Sequence, residues 1–158
     1  MLKAIVYKSN TGYTKNYAKM LSEKLNIPYY NIKDVRKYLN KNDEIIYLGW
    51  ICAGRICGYS KVNQKYNVKC CGAVGIYPPE KTYIENLKKD NKITQELFYL
   101  RGGIDRAKLN WMYKKIIDMV AKLMKKENKE EIASILKNGA NFVSEENVKN
   151  IGEYIRNV

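Results

Sequence analysis

Apolar runs of strand length alternate with stretches of helical spacing along almost the whole chain, and this alternation restricts the fold more than any other feature. The runs are Leu2–Tyr7, Pro28–Ile32, Glu44–Leu48, Cys70–Ile76 and Glu96–Leu100. The third and fourth are nearly continuous in Ile, Tyr, Leu, Val and Ala. A strand wetted on one face would alternate with polar residues, so these two read as strands covered on both faces. Tyr13–Leu25 sets Tyr17, Met20, Leu21 and Leu25 at helical spacing, with Thr11 and Gly12 as the start signal. Lys81–Lys89 carries Tyr83, Ile84 and Leu87 on one helical face. Arg106–Lys126 is the strongest helix. Its Leu109, Met112, Ile116, Met119, Val120 and Leu123 recur at steps of three and four, and Asp105 stands where a cap belongs. Lys129–Lys137 and Glu145–Asn157 also read as helices, the latter capped by Ser144.

Such alternation predicts an α/β fold, a parallel sheet with helices on both faces. Right-handed crossovers bring the C-terminal ends of the strands to one edge, and ligands bind there where strand order reverses. Chemistry is therefore expected in the loops after the first, third and fourth strands.

At 158 residues the chain is long enough to bury a core of its own, and no Pro-, Gly- or Ser-rich linker divides it. Residues 1–158 thus read as a single domain. No run approaches the roughly 18 apolar residues of a membrane-spanning helix. The N-terminal apolar run is too short for a signal-peptide core, so a cytoplasmic protein is expected. The chain has no histidine, which removes Ser-His and Cys-His nucleophilic catalysis, and no catalytic residue is assigned. Cys52, Cys57, Cys70 and Cys71 are spaced C-x4-C and C-C, unlike the paired C-x2-C units of zinc sites, so no metal is expected. Cys70 and Cys71 lie in an apolar run and read as buried thiols.

The net charge of +13 reads as a lysine-rich surface. The basic residues are spread along the chain. Their densest cluster, Lys122, Lys125, Lys126 and Lys129, is met by Glu127, Glu130 and Glu131. Nothing resembles an RNA-binding sheet motif or a helix-turn-helix, so no nucleic-acid partner is expected.

The loop after the first strand reads Ser9-Asn10-Thr11-Gly12-Tyr13-Thr14. A phosphate needs converging donors without steric bulk. Turn amides, the free N–H groups at a helix start and three hydroxyls supply them, and Gly12 allows close approach. The loop lacks G-K-[ST] and G-x-G-x-x-G, so a single phosphate suits it better than a triphosphate or a dinucleotide.

From Ile5 to Leu21 the sequence IVYKSNTGYTKNYAKML resembles the N-terminal signature of the flavodoxin family. It has the aliphatic pair, the aromatic before the loop, the threonine, and the alanine and aliphatic on the helix. The resemblance implies a flavodoxin-like three-layer sandwich, with a five-stranded parallel sheet of order 2-1-3-4-5. It also implies flavin mononucleotide (FMN) as cofactor, its phosphate wrapped by Ser9, Asn10, Thr11, Gly12, Tyr13 and Thr14.

In that family two further loops hold the flavin ring. After the third strand come Trp50, Ile51, Cys52, Ala53 and Gly54, with Trp50 as the stacking candidate. A tryptophan at a strand end is also an ordinary core residue. After the fourth strand Tyr77 holds the place of the tyrosine over the other ring face.

A second resemblance, from Phe98 to Met112, is to the branch that includes menaquinone-dependent protoporphyrinogen oxidase, where a glycine pair precedes a long helix. It implies that Gly102 and Gly103 let backbone approach the flavin. A plain turn before a helix also uses such a pair.

The function these resemblances imply is electron transfer between redox partner proteins. Lys8, Lys15 and Arg55 flank the expected site, which implies acidic partners and a stabilised anionic reduced flavin. The alternative is a flavin oxidoreductase acting on a quinone or porphyrinogen. In that case Arg106–Lys126 gives a quinone or peripheral membrane contact.

Overall fold

The computed structural model describes residues 1–158. Its main sheet is built from β1 (Leu2–Lys8), β2 (Tyr29–Asn31), β3 (Glu44–Cys52), β5 (Asn67–Gly75) and β6 (Glu96–Arg101). They are parallel in the order β2-β1-β3-β5-β6, the expected 2-1-3-4-5 pattern. A sixth, two-residue strand β4 (Arg55–Ile56) folds back antiparallel on the end of β3.

Alternation along each strand sends neighbouring side chains to opposite faces. Ala4, Val6, Ile45, Tyr47, Cys71 and Ala73 join one core cluster, while Ile5, Tyr7, Ile46, Leu48, Cys70 and Val74 join another. Both faces are therefore buried, as the continuous apolar runs predict. The first face is covered by α2 (Tyr59–Asn63) and α3 (Lys81–Asp90), the second by α1 (Tyr13–Leu25) and α6 (Glu145–Asn157). Tyr17 of α1, fully buried, donates its hydroxyl to the Arg101 carbonyl and accepts from Asn147 Nδ2 at 2.6 Å. That bond set ties α1 and α6 to the end of β6.

The remaining helices, α4 (Trp111–Lys126) and α5 (Glu130–Asn138), leave the sandwich altogether. They form a hairpin at the C-terminal edge of the sheet with a small apolar cluster of their own, centred on Ile132, Ile135 and Leu136. The hairpin rises from a two-stranded ribbon, β7 (Gly103–Ile104) with β8 (Ala140–Asn141).

Three expectations are corrected here. The long helix begins at Trp111, not Arg106, and Asn110 caps it by accepting from the Tyr113 amide at 2.9 Å. Asp105 caps the preceding 3₁₀ turn Arg106–Lys108 instead. Ser144 does precede α6, but its hydroxyl makes no cap bond. The third correction concerns the apolar positions read for this helix, which do not all share one face. Tyr113, Ile117, Val120, Ala121 and Met124 turn inward, whereas Met112, Ile116, Met119 and Leu123 are exposed.

Candidate functional site

The edge where order reverses, between β1 and β3, opens into a cavity of about 450 Å³ lined by 24 residues, 17 of them hydrophobic. Its volume lies within the roughly 300–1,000 Å³ typical of small-molecule and cofactor sites. Three walls converge on it.

The first wall is the loop after β1. Ser9, Asn10, Thr11, Tyr13 and Thr14 all line the cavity. Gly12 does not, but it shapes the loop: at φ +105° it stands at the N-cap of α1, and its amide donates to Ser9 Oγ at 3.1 Å. The left-handed conformation suits glycine because a Cβ there would strain the backbone. Behind it the amides of Tyr13, Thr14 and Lys15 open α1 without intrahelical partners. Thr14 is buried at the base of the loop. Burial, and then Asp105 nearby, hold the Tyr13 phenol above its ordinary pKa, so it stays a neutral donor.

A cation overhangs this loop from a distant part of the chain. Lys108 Nζ lies 3.9 Å from the place a Cβ on Gly12 would occupy. Nothing in the loop's own sequence announces it, because the lysine arrives on the 3₁₀ turn before α4.

The second wall is the end of β3. Trp50, Ile51, Cys52, Ala53 and Gly54 line the cavity. Ala53 and Gly54 have φ +48° and +73°, the left-handed pair of a tight two-residue hairpin turn between β3 and β4. The hairpin is clamped to the end of α3. Asn91 Nδ2 donates to the Gly54 carbonyl at 2.9 Å, and Asn91 Oδ1 accepts from the Ile56 amide at 2.8 Å. Arg55 donates to the Asp90 carbonyl at 2.6 Å.

Arg55 and Lys8 therefore do not face the cavity. They line a separate basic hollow on the far side of the hairpin with Cys57, Lys61 and Lys92. Lys15 points to solvent and lines neither. The expected cationic flank is replaced by Lys108.

The third wall joins the loop after β5 to the helical hairpin. Tyr77 lines the cavity, its hydroxyl 3.7 Å from Met124 Sδ and its ring 5.1 Å from that of Tyr83. Tyr99 donates to the Tyr77 carbonyl at 2.8 Å. Burial, and then Tyr77, push the Tyr83 phenol up to about 12.

Above lie Leu109, Tyr113, Ile116, Ile117 and Val120 on the α4 side, with Ile132 and Leu136 from α5. Tyr113 meets Trp50 edge to face, centroids 6.1 Å apart and planes at 75°. Two arginines fasten this roof. Arg106 donates to the Leu136 carbonyl and to Asp118 Oδ1, each at 2.9 Å. Arg101 donates to Ile76 O at 3.1 Å and Glu131 Oε1 at 2.9 Å.

Of the glycine pair, Gly103 borders the cavity and Gly102 does not. A Cβ on Gly102 would meet Val74 Cγ1 at 2.6 Å, and one on Gly103 would run into the Ala140 carbonyl. Both glycines stand at the crossing from β6 into the ribbon, where the packing leaves no room for a Cβ.

The roof residues escape sequence reasoning because α4 is apolar around more than half its circumference. A single stripe at steps of three and four is then no guide to the inner face. The spacing of Leu109, Tyr113, Ile117, Val120 and Met124 was the signal for the face that turns inward.

Chemically, the arrangement offers an anion cradle at one end, aromatic planes in the middle and an apolar roof. A family model described as flavodoxin domain matches residues 4–131. No curated protein matches the chain.

Proposed function

Because this chain belongs to the flavodoxin family, we propose that it holds one FMN at this edge of the sheet and transfers electrons between redox partners. The observation that carries the reading is one cavity joining the hydroxyl-bearing Ser9–Thr14 loop to an aromatic, apolar slot. Ser9 and Thr11 hydroxyls, the α1 amides and Lys108 suit a dianionic phosphate. Trp50 and Tyr113 offer aromatic planes to the ring, and the roof keeps water from it. When bound, the flavin supplies the redox chemistry. Acidic partner proteins suit a chain of net charge +13.

Titration of the flavin-free protein checks this. We expect one FMN per chain, bound at least a hundredfold more tightly than riboflavin, and FAD bound more weakly than FMN. Equal affinity for FMN and riboflavin would remove the phosphate cradle from the account.

The hairpin separates two thiols, which gives an independent check. Cys52 lines the cavity, whereas Cys57 lines the basic hollow. Saturating FMN should slow maleimide labelling of Cys52 about tenfold or more and leave Cys57 unchanged, read by peptide mass spectrometry. Protection of Cys57 alone would move the flavin to the wrong side of the hairpin.

A second reading, a flavin oxidoreductase acting on a quinone or porphyrinogen, draws on the roof. Ile116, Ile117, Val120, Ile132 and Leu136 form an apolar surface above the phosphate and aromatic walls. Turnover of protoporphyrinogen with a menaquinone analogue by the FMN-loaded protein separates it from a carrier role.

A further inference from the structure

Helix α4 keeps its outer side bare. Trp111 is 68% exposed, Met112 54%, Ile116 45%, Met119 59% and Leu123 49%. Steps of four, three and four place Met112, Ile116, Met119 and Leu123 in one stripe, roughly 16 Å long at about 1.5 Å per residue. Monomeric proteins rarely leave such a continuous apolar strip in water. The opposite side of α4 is already occupied by α5 and the cavity.

Charge narrows what covers the strip. Lys115, Lys122 and Lys126, at steps of seven and four, run beside it one step around the helix. Lys114 and Lys125 lie further round. Asp118 is the helix's one acid, and it is held by Arg106 at 2.9 Å. A second copy of the chain would bring lysine row against lysine row on molecules of net charge +13. An anionic surface is the complement instead.

No helix here is long and apolar enough to cross a membrane. A helix with an apolar strip, a lysine border and a tryptophan at one end fits the bilayer interface, lying in its plane with its apolar side sunk about 5–10 Å. The strip also leads into the cavity, since Ile116 is both exposed and part of its lining.

We propose that α4 docks this protein on anionic phospholipid bilayers, with Met112, Met119 and Leu123 inserted and Lys115, Lys122 and Lys126 at the headgroups. The surface stands independently of what the cavity holds. Docking also turns the Ile116 side of the cavity toward the lipid.

Co-sedimentation of the full chain with phosphatidylcholine vesicles, with or without about one-third phosphatidylglycerol, tests the proposal. The expected result is binding at least tenfold tighter to the anionic vesicles, weakened by high salt, with blue-shifted tryptophan emission. The pair Met112→Gln and Met119→Gln, both off the cavity lining, should lower vesicle binding at least tenfold while circular dichroism and FMN affinity stay unchanged. Lys115→Gln with Lys122→Gln should remove the preference for anionic lipid. Failure of the wild-type chain to bind, or binding unaffected by the methionine pair, would overturn the proposal. So would a vesicle-free dimer abolished by that same pair, which would assign the strip to a second copy.

Discussion

Replacing Ser9 and Thr11 together by alanine is expected to lower FMN affinity about a thousandfold. Hydrogen bonds to charged groups contribute roughly 1.5–3 kcal/mol each, and each 1.4 kcal/mol is a factor of ten. Ser9 matters twice, because its Oγ also accepts the Gly12 amide and so holds the turn in its left-handed form. Lys108→Gln should cost much less, about fivefold, because a solvent-facing ammonium acts through a screened charge.

Riboflavin supplies the control. It shares the ring and lacks the phosphate, so its affinity for the Ser9→Ala, Thr11→Ala protein should remain within about threefold of wild type, by the same hydrogen-bond accounting. Fluorescence quenching titrations read both ligands. Equal losses for FMN and riboflavin would show that the loop shapes the cavity rather than gripping a phosphate.

The second large effect is alkaline unfolding. Cys70, Cys71 and Tyr47 lie completely buried on the central strands β5 and β3. Burial pushes the Cys70 thiol up to about 12 from an ordinary 9.0. Burial likewise raises Cys71, and it raises Tyr47 above its ordinary 10.0. In the folded protein these groups keep their protons where the unfolded chain has lost them. The unfolded state then binds fewer protons, so stability falls as pH rises, by about 1.4 kcal/mol per unit for each group.

Their contribution is fully present below about pH 9 and falls away above it. The thiols act first and the phenol follows from about pH 10. By pH 11 the loss reaches about 7 kcal/mol, comparable to the roughly 5–15 kcal/mol that holds a typical domain together. Urea midpoints measured under reductant at pH 8, 9, 10 and 11 should therefore collapse over the last two units. In Cys70→Ala, Cys71→Ala the neutral midpoint drops, but its decline with pH should be shallower. A midpoint constant to pH 11 would contradict the burial of all three groups.

What the sequence discloses follows the range over which each signal acts. The strands were legible because burial on both faces writes continuous apolar runs, and α1 because its periodicity and its start signal agree. The Ser9–Thr14 loop was legible because its donors are consecutive, so one turn carries the whole feature. The five-residue α2 was not, being too short to show a period. Lys108 comes over the Gly12 turn, and Tyr113 meets Trp50 in the cavity wall, through tertiary placement alone. The six apolar positions read at steps of three and four split between two sides, Leu109 and Val120 turning in and Met112, Met119 and Leu123 staying bare, since a helix wanted on one side by α5 and left bare on another has no single apolar stripe. The glycine pair is legible as a pair, but the reason for Gly102, the Val74 side chain on the neighbouring strand, is a tertiary contact that no local pattern carries.

The ribbon from which the roof rises has a consequence for how the fold can vary. Gly103 pairs with Asn141 and Ile104 with Ala140, so the chain departs from the sandwich and returns to it at one point. Everything from Asp105 to Gly139 is a loop closed on a two-residue stem. The sheet and its covering helices do not depend on that loop's length, and lengthening it adds only slowly to the entropy of closure. The segment is thus a detachable module. Its size and surface, and with them the Lys108 and Tyr113 side of the cavity, can change while the Ser9–Thr14 loop beneath stays the same, so a shared scaffold can be redirected to a new target by rewriting one insertion.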